Sequence, residues 1–169
     1  MNSEELRALQ APIKDRYRVE PAAAHITLKA SGALDSEEIA CNVETARAVV
    51  AAGLHPGTGG SGSLVCSGDM LLQALVACAG VTLRAVATAL GVPLANARVF
   101  AEGDLDFRGT LGVERSAPVG FSDIRLRFEV ESTAPQEQID RLLALTERYC
   151  VVYQTLRSAP KISAELKRN

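Results

Sequence analysis

The chain has 169 residues, of which 47% are hydrophobic and 22% charged, and a formal net charge of −2. This length suits a single domain, residues 1–169, with a sizeable core, and the composition argues against disorder. The slightly acidic balance also argues against a nucleic-acid binder, because such proteins carry a basic field that neutralises phosphates.

The first third of the chain predicts a short helix, two strands and a second helix. Residues 4–10 precede Pro12 and are predicted as the short helix. Alternating apolar and polar side chains predict strands at 25–31 and 39–45, joined by a turn. Residues 44–52 are predicted as a helix that ends at Gly53. Since this region has no apolar signal core, secretion is not expected and the predicted location is cytoplasmic.

A glycine-rich segment, GLHPGTGGSGS, separates this region from the longest apolar stretch. Three of its glycines match a dinucleotide-binding pattern by position only, because no clear strand precedes them and no helix starts at the third. The segment is therefore predicted as a flexible loop.

A long helix is predicted from Asp69 to Leu90, with Gly91 as its stop signal and Ser67 or Asp69 as its cap. A membrane span needs roughly 20 mostly apolar residues, and this stretch carries polar and charged side chains. We therefore expect a helix that is buried in protein. The polar side chains are Gln73, Thr82 and Arg84.

The last part of the chain predicts two strands, a helix and a final strand. The cleanest strand is FSDIRLRFEVE, whose apolar side chains alternate with charged ones. Thr133 and Gln136 have capping-box spacing at the start of a helix. The segment ERYCVVYQTL either continues this helix or forms a second short one, and KISAEL is predicted as the last strand. Strands and helices that are segregated in this way indicate an α+β fold.

The residues that carry chemistry are few. His25 and His55 do not have the spacing of metal ligands, and no nucleophile motif accompanies them, so neither a metal nor a cofactor is expected. The four cysteines form no CxxC pair, and in a reducing compartment a disulfide framework is not expected. Cys41 and Cys66 are interpreted as structural.

Cys78 lies in the apolar stretch LLQALVACAGVTL, and two interpretations of it stay open. A thiol there is either a small hydrophobic core residue or a nucleophile. A free thiol is only about 3% ionised at pH 7, and a pKa near 6 takes roughly 3.4 kcal/mol of stabilisation of the anion. An arginine that a carboxylate holds in position supplies such stabilisation.

Three segments together resemble the OsmC/Ohr family of thiol-dependent hydroperoxide reductases. They are GDMLLQALVACAGVTLRAVATALGVPL, EGDLDFRGTLG and LLALTERYCVVYQTL, and the resemblance covers residues 57–157. The family has one cysteine in an apolar helix, nine or ten residues after a carboxylate, and a second in a CPV-like stretch. These positions fall on Asp69, Cys78 and Cys150.

This resemblance implies that Cys78 is the peroxidatic thiolate, which attacks an organic hydroperoxide and becomes a sulfenic acid. Cys150 then condenses with it to a disulfide, which a dithiol of the lipoamide type reduces. The implied fold is OsmC-like, with antiparallel sheets and a long central apolar helix in an intertwined homodimer. The implied active sites lie at the subunit interface.

The chain departs from the family pattern at two of these positions, since Asp69 stands where the family has Glu and the second motif reads CVV. Nine residues also place Asp69 and Cys78 on opposite faces of an unbroken helix. Arg18 or Arg16 corresponds only loosely to the family arginine. The other candidate cations are Arg47 and Arg84. The alternative function is a noncatalytic module of the same fold that binds a small apolar ligand in the dimer cleft.

Overall fold

The computed structural model describes residues 2–25, 31–34, 40–44 and 49–168. Its first helix, α1 (Ser3–Val19), is longer than the predicted helix and runs through Pro12. The start of α1 is stabilised by a capping box, in which the Asn2 side chain accepts from the Glu5 N–H and the Glu5 carboxylate accepts from the Asn2 N–H. The capping box and the basic side chains in the last turn stabilise both ends of α1.

A four-stranded sheet contains β1 (Ser31–Leu34), β2 (Ala40–Glu44), β3 (Val49–Gly53) and β4 (Val65–Cys66), in that order. The first two pairings are antiparallel, and the pairing of β3 with β4 is parallel. The strand predicted at 39–45 is thus confirmed as β2. The strand predicted at 25–31 lies outside the described residues except for His25, which precedes the gap, and Ser31, which opens β1.

The helix predicted over 44–52 is wrong where the structure describes it. Val49–Gly53 forms β3, whose residues pair one by one with those of β2, for example Val50 with Val43. The two adjacent β-branched valines fit a pleated sheet, and strand pairing overrides the helix preference of the alanines beside them.

A second, two-stranded sheet pairs β5 (Asn96–Asp104) antiparallel with β6 (Asp123–Glu131) along their full lengths. The alternation predicted for β6 is confirmed, since its apolar side chains are half-buried and its charged ones are exposed. A short helix, α3 (Phe107–Thr110), follows β5.

The long helix α2 (Ser67–Leu90) begins two residues earlier than predicted. Cys66 is its N-cap, without a side-chain hydrogen bond, so the predicted caps Ser67 and Asp69 lie inside the first turn. The reason is that β4 runs directly into α2, with Cys66 in extended backbone. The predicted stop is confirmed: Gly91 has a φ of 68°, a left-handed conformation that suits glycine.

Only one stripe of α2 is buried within the protomer. Its members are spaced four residues apart, while other apolar side chains of α2, such as Val81, are exposed. By length and composition α2 alone among the described helices could cross a membrane, but the core helix of a soluble protein has the same properties. The buried stripe consists of Leu75, Ala79, Leu83 and Ala87.

The core lies where α2 meets the second sheet and α4 (Gln136–Tyr149). Leu83, Val92 and Leu142 are buried there, and apolar side chains of β6 pack against them. The predicted capping box of α4 is wrong, because Pro135 is the N-cap and makes no side-chain cap.

A second short helix, α5 (Val151–Arg157), follows α4 immediately, as one of the two predicted alternatives has it. The last strand, predicted at 161–166, is wrong. No strand is formed between residues 158 and 168, and Leu166 is 94% exposed. Nothing in the described protomer pairs with this segment, and apolar alternation alone does not make a strand.

Candidate functional site

Cys150 is held at the junction between α4 and α5. It is the C-cap of α4 and the N-cap of α5, with extended backbone. Its N–H donates to the Thr146 carbonyl at 2.9 Å, and its carbonyl accepts from the Gln154 N–H at 3.0 Å. The residue is only 1% exposed. The helix break therefore fixes the position of this thiol.

Cys78 lies on α2, which packs against α5, and its side chain is half-buried. Three groups from the α4–α5 junction act on its thiol as hydrogen-bond partners that lower its pKa, namely the main-chain N–H groups of Val151 and Val152 and the thiol of Cys150. The N–H groups in the first turn of a helix have no acceptor within that helix, so those of α5 are free to bind the sulfur. The two cysteines of the sequence prediction thus meet within one protomer.

The hydrogen bonds decide the ionisation of Cys78. Burial acts to raise the pKa of its thiol, but hydrogen bonds from the Val152 N–H, Cys150 and the Val151 N–H outweigh it. The pKa of Cys78 is therefore lowered from its ordinary value. Hydrogen bonds to a thiolate favour the charged form. Burial alone would have raised this pKa.

The pKa of Cys150 changes in the opposite direction. Its burial raises the pKa, and the hydrogen bond with Cys78 raises it further, while the Tyr153 N–H partly opposes these effects. The pKa values of the two thiols are thus displaced in opposite directions.

Neither Arg18 nor Arg16 is among the groups that lower the pKa of Cys78. In the described part of the chain, no cationic side chain lowers the pKa of that thiol. Arg18 lies on α1, is largely exposed and pairs with Asp15. Arg16 pairs with Glu20 at 3.6 Å.

Of the two other candidate cations, one is described. Arg84 lines a cavity between α2 and Leu6 of α1. Arg47 lies outside the described residues. Among the described residues, main-chain N–H groups lower the pKa of Cys78, as a guanidinium beside the sulfur would.

Asp69 is also separated from Cys78. Since α2 is continuous from Ser67, the two residues lie on opposite faces and about 13 Å apart along its axis. Asp69 instead borders a second cavity of about 220 Å³, together with His55 and Cys66. The nine-residue spacing already indicated this outcome.

The second cavity has ordinary structural contacts. The His55 Nδ1 accepts from the Gly57 N–H at 2.9 Å, and its ring lies 4.9 Å from that of Phe107. Cys66 is a half-buried free thiol. Among the described residues, no three His, Cys, Asp or Glu side chains are grouped closely enough to hold a metal.

A groove of about 670 Å³ runs between β6 and the helices α4 and α5. Its apolar wall includes Leu75, one turn before Cys78, and Tyr153, whose N–H bonds to Cys150. Arg127, Arg157 and other charged side chains also line it. An apolar wall with a few polar groups is typical of sites for small organic molecules.

Comparison with known proteins identifies the family. The family model described as OsmC-like protein matches residues 60–165, which is more than half of the chain. A comparison with curated proteins found no significant match.

Several solved structures have the same fold. The OsmC-like protein of Mycoplasma pneumoniae is 16% identical, with 79% of this chain and 89% of that chain covered and a TM-score of 0.66. An organic hydroperoxide resistance protein, OsmC, of Legionella pneumophila is 16% identical, with 80% and 92% covered and a TM-score of 0.62. A third, an organic hydroperoxide resistance protein of Elizabethkingia anophelis, is 13% identical, with 80% and 91% covered and a TM-score of 0.62.

These structures share the mixed arrangement of small sheets around a long helix. At such identities they are evidence for the fold, and the family model adds the sequence match across both cysteine segments. The chain therefore belongs to the OsmC-like protein family.

Proposed function

We propose that this protein is a thiol-dependent peroxidase that reduces small organic hydroperoxides. The observation that carries the proposal is the contact between two thiols whose pKa values are displaced in opposite directions, down for Cys78 and up for Cys150. A peroxidatic thiol has to be ionised, and a resolving thiol has to lie beside it. Two fold relatives are themselves named organic hydroperoxide resistance proteins, which agrees with this proposal.

In the first step the Cys78 thiolate attacks the distal oxygen of the hydroperoxide. The new S–O bond forms as the O–O bond breaks, and the departing alkoxide takes a proton from solvent to become an alcohol. Cys78 is thereby oxidised to a sulfenic acid. The main-chain donors Val151 and Val152 hold the thiolate in place for this attack.

In the second step the Cys150 sulfur attacks the sulfenic sulfur of Cys78, and water leaves with the proton of the Cys150 thiol. The product is a disulfide between α2 and the start of α5, two helices that already pack together. A dithiol of the lipoamide type then restores both thiols by exchange and leaves as its own disulfide.

The apolar groove beside β6 suits the organic part of the substrate. Its wall includes Leu75 and Tyr153. Leu75 precedes Cys78 by three residues, and Tyr153 follows Cys150 by three residues. We assign the groove to the alkyl or aryl group of the hydroperoxide. Hydrogen peroxide has no such group and gains nothing from an apolar wall.

The proposed active form is a cytoplasmic homodimer. Along α2, apolar side chains outside the buried stripe, such as Val81 and Leu71, are exposed in the protomer. A second copy that packs against this face removes the exposed apolar area from water.

The test is single-turnover reduction of cumene hydroperoxide by the dithiol form of the full chain. We expect one equivalent to be consumed by the wild type and none by Cys78→Ser. Cys66→Ser is the matched control and retains full consumption, because Cys66 lies in the other cavity. Binding of cumene hydroperoxide without loss of thiols would overturn the proposal and favour the noncatalytic module.

A further inference from the structure

Thr82 lies one turn after Cys78 on α2, and its hydroxyl acts on two groups of that residue. Thr82 Oγ1 donates to the Cys78 carbonyl oxygen at 2.8 Å, a side-chain bond that helical threonines often make. The four-residue spacing places the Thr82 and Cys78 side chains on the same face of α2, and the Thr82 hydroxyl acts to lower the pKa of the Cys78 thiol. A hydroxyl has one hydrogen, so it donates fully to only one of these atoms at a time.

The Cys78 carbonyl does not depend on this hydroxyl. In a continuous α-helix the carbonyl of residue 78 accepts the main-chain N–H of residue 82, and α2 is unbroken over this region. When the hydroxyl turns towards the sulfur, no buried acceptor is left without a partner. The movement therefore costs little.

We propose that Thr82 is a catalytic residue, whose hydroxyl leaves the Cys78 carbonyl and donates its hydrogen bond to the Cys78 sulfur when that sulfur is ionised. A hydrogen bond to an ionised acceptor is roughly twice as strong as one between neutral groups, so the hydroxyl donates to the thiolate in preference to the carbonyl. Thr82 keeps its own proton throughout, and no atom is oxidised or reduced in this step. The role rests on the proposed function, in which this thiolate attacks the hydroperoxide.

The surroundings of the sulfur leave room for this role. Among the described residues, Cys150 is the one titratable side chain that interacts with the Cys78 sulfur, and it does so from the α4–α5 junction. Val151 and Val152 donate from the start of α5. Thr82 is the donor that comes from α2 itself.

The experiment compares Thr82→Val, which removes the hydroxyl at nearly constant shape, with Thr82→Ser, which keeps it. The chain offers a matched control in Thr88, whose hydroxyl makes the same bond to the Arg84 carbonyl at 2.8 Å, away from any cysteine. The readout is the pH dependence of Cys78 alkylation by iodoacetamide, followed on the Cys78 peptide by mass spectrometry. Circular dichroism verifies folding, and Thr82→Ala serves as a second variant without a hydroxyl.

We expect Thr82→Val and Thr82→Ala to move the midpoint of alkylation to higher pH. Below the midpoint, their alkylation is roughly tenfold slower than in the wild type, because the anion loses one donor. Thr82→Ser and Thr88→Val keep the wild-type profile. A folded Thr82→Val or Thr82→Ala protein with the wild-type midpoint would overturn the role of Thr82.

The alkylation measurement is independent of hydroperoxide turnover. An unchanged midpoint together with normal peroxide consumption would remove Thr82 from the mechanism and leave the peroxidase standing. A shifted midpoint in a protein that consumes no hydroperoxide would leave the hydrogen bond standing and remove the peroxidase.

Discussion

The main-chain N–H of Val152 lowers the pKa of the Cys78 thiol as a hydrogen-bond donor. Val152 is the second residue of α5, and this helix exists as a separate element because the chain breaks at Cys150. The same break that buries the second thiol thus directs main-chain donors at the first one. A single local feature of the backbone prepares both sulfurs for the proposed reaction.

The first prediction concerns the pH dependence of Cys78. Its lowered pKa means that the thiolate forms at lower pH than in free cysteine, so alkylation rises through that lowered pKa and is flat above it. Cys66 on the same chain provides the internal comparison. A Cys78 profile that rises only at or above the midpoint of free cysteine would contradict the hydrogen-bonded thiolate.

The second prediction separates the two sulfurs. Cys150→Ser keeps a hydrogen-bond donor near Cys78 but removes the sulfur that resolves the sulfenic acid. After one equivalent of cumene hydroperoxide, we expect one dimedone adduct per chain, on Cys78, in this variant and almost none in the wild type. If the variant and the wild type trap dimedone equally, Cys150 does not resolve the sulfenic acid.

The third prediction concerns Arg18. It lies on α1 beside Asp15, and the structure does not bring it to the thiol pair. Arg18→Ala is expected to alter the rate of Cys78 alkylation at pH 7 by less than about twofold, since a shift of one pKa unit would change it roughly tenfold. A tenfold fall would mean that a guanidinium reaches the sulfur from a second subunit.

The fourth prediction concerns the core between α2 and α4. Leu142 is buried there, and Leu142→Ala is expected to lower the free energy of unfolding by about 2–5 kcal/mol, because it leaves a cavity. Leu166→Ala is the control, with an expected change within about 0.5 kcal/mol, since Leu166 is exposed. Urea unfolding measures both, and equal effects would contradict the assigned core.

The fifth prediction concerns the exposed face of α2. Val81 is 72% exposed on this helix, and a lysine there places a charge in the proposed dimer interface. Sedimentation is expected to give a dimer for the wild type and a monomer for Val81→Lys. Val113→Lys, at a loop position with 73% exposure, stays dimeric. A monomeric wild type would remove the homodimer from the proposal.

Sequence patterns predicted those parts of the fold that depend on local signals. The alternation in β6 and the glycine at the end of α2 are such signals, and both predictions are confirmed. The strand β3 was predicted as a helix because its alanines favour helices. Its pairing with β2 overrides that local preference. The segment 161–166 alternates just as a strand does, but it has no partner in the described protomer.

The roles of the two sulfurs stay a prediction, and their main-chain donors were not predicted. Cys78 and Cys150 were selected by family resemblance, and the structure brings them together. The sequence specifies side chains, so the expected source of stabilisation was a charged side chain. Main-chain N–H groups are common to nearly all residues, and the signal for these donors was the predicted alternative of a separate helix after Cys150.

The most direct test of the account is the disulfide itself. The protein is treated with one equivalent of cumene hydroperoxide, digested without reduction and mapped by mass spectrometry. The account predicts a link between the Cys78 and Cys150 peptides of the same chain. Intact thiols at both positions, or a link that joins either of them to Cys66 instead, would contradict it.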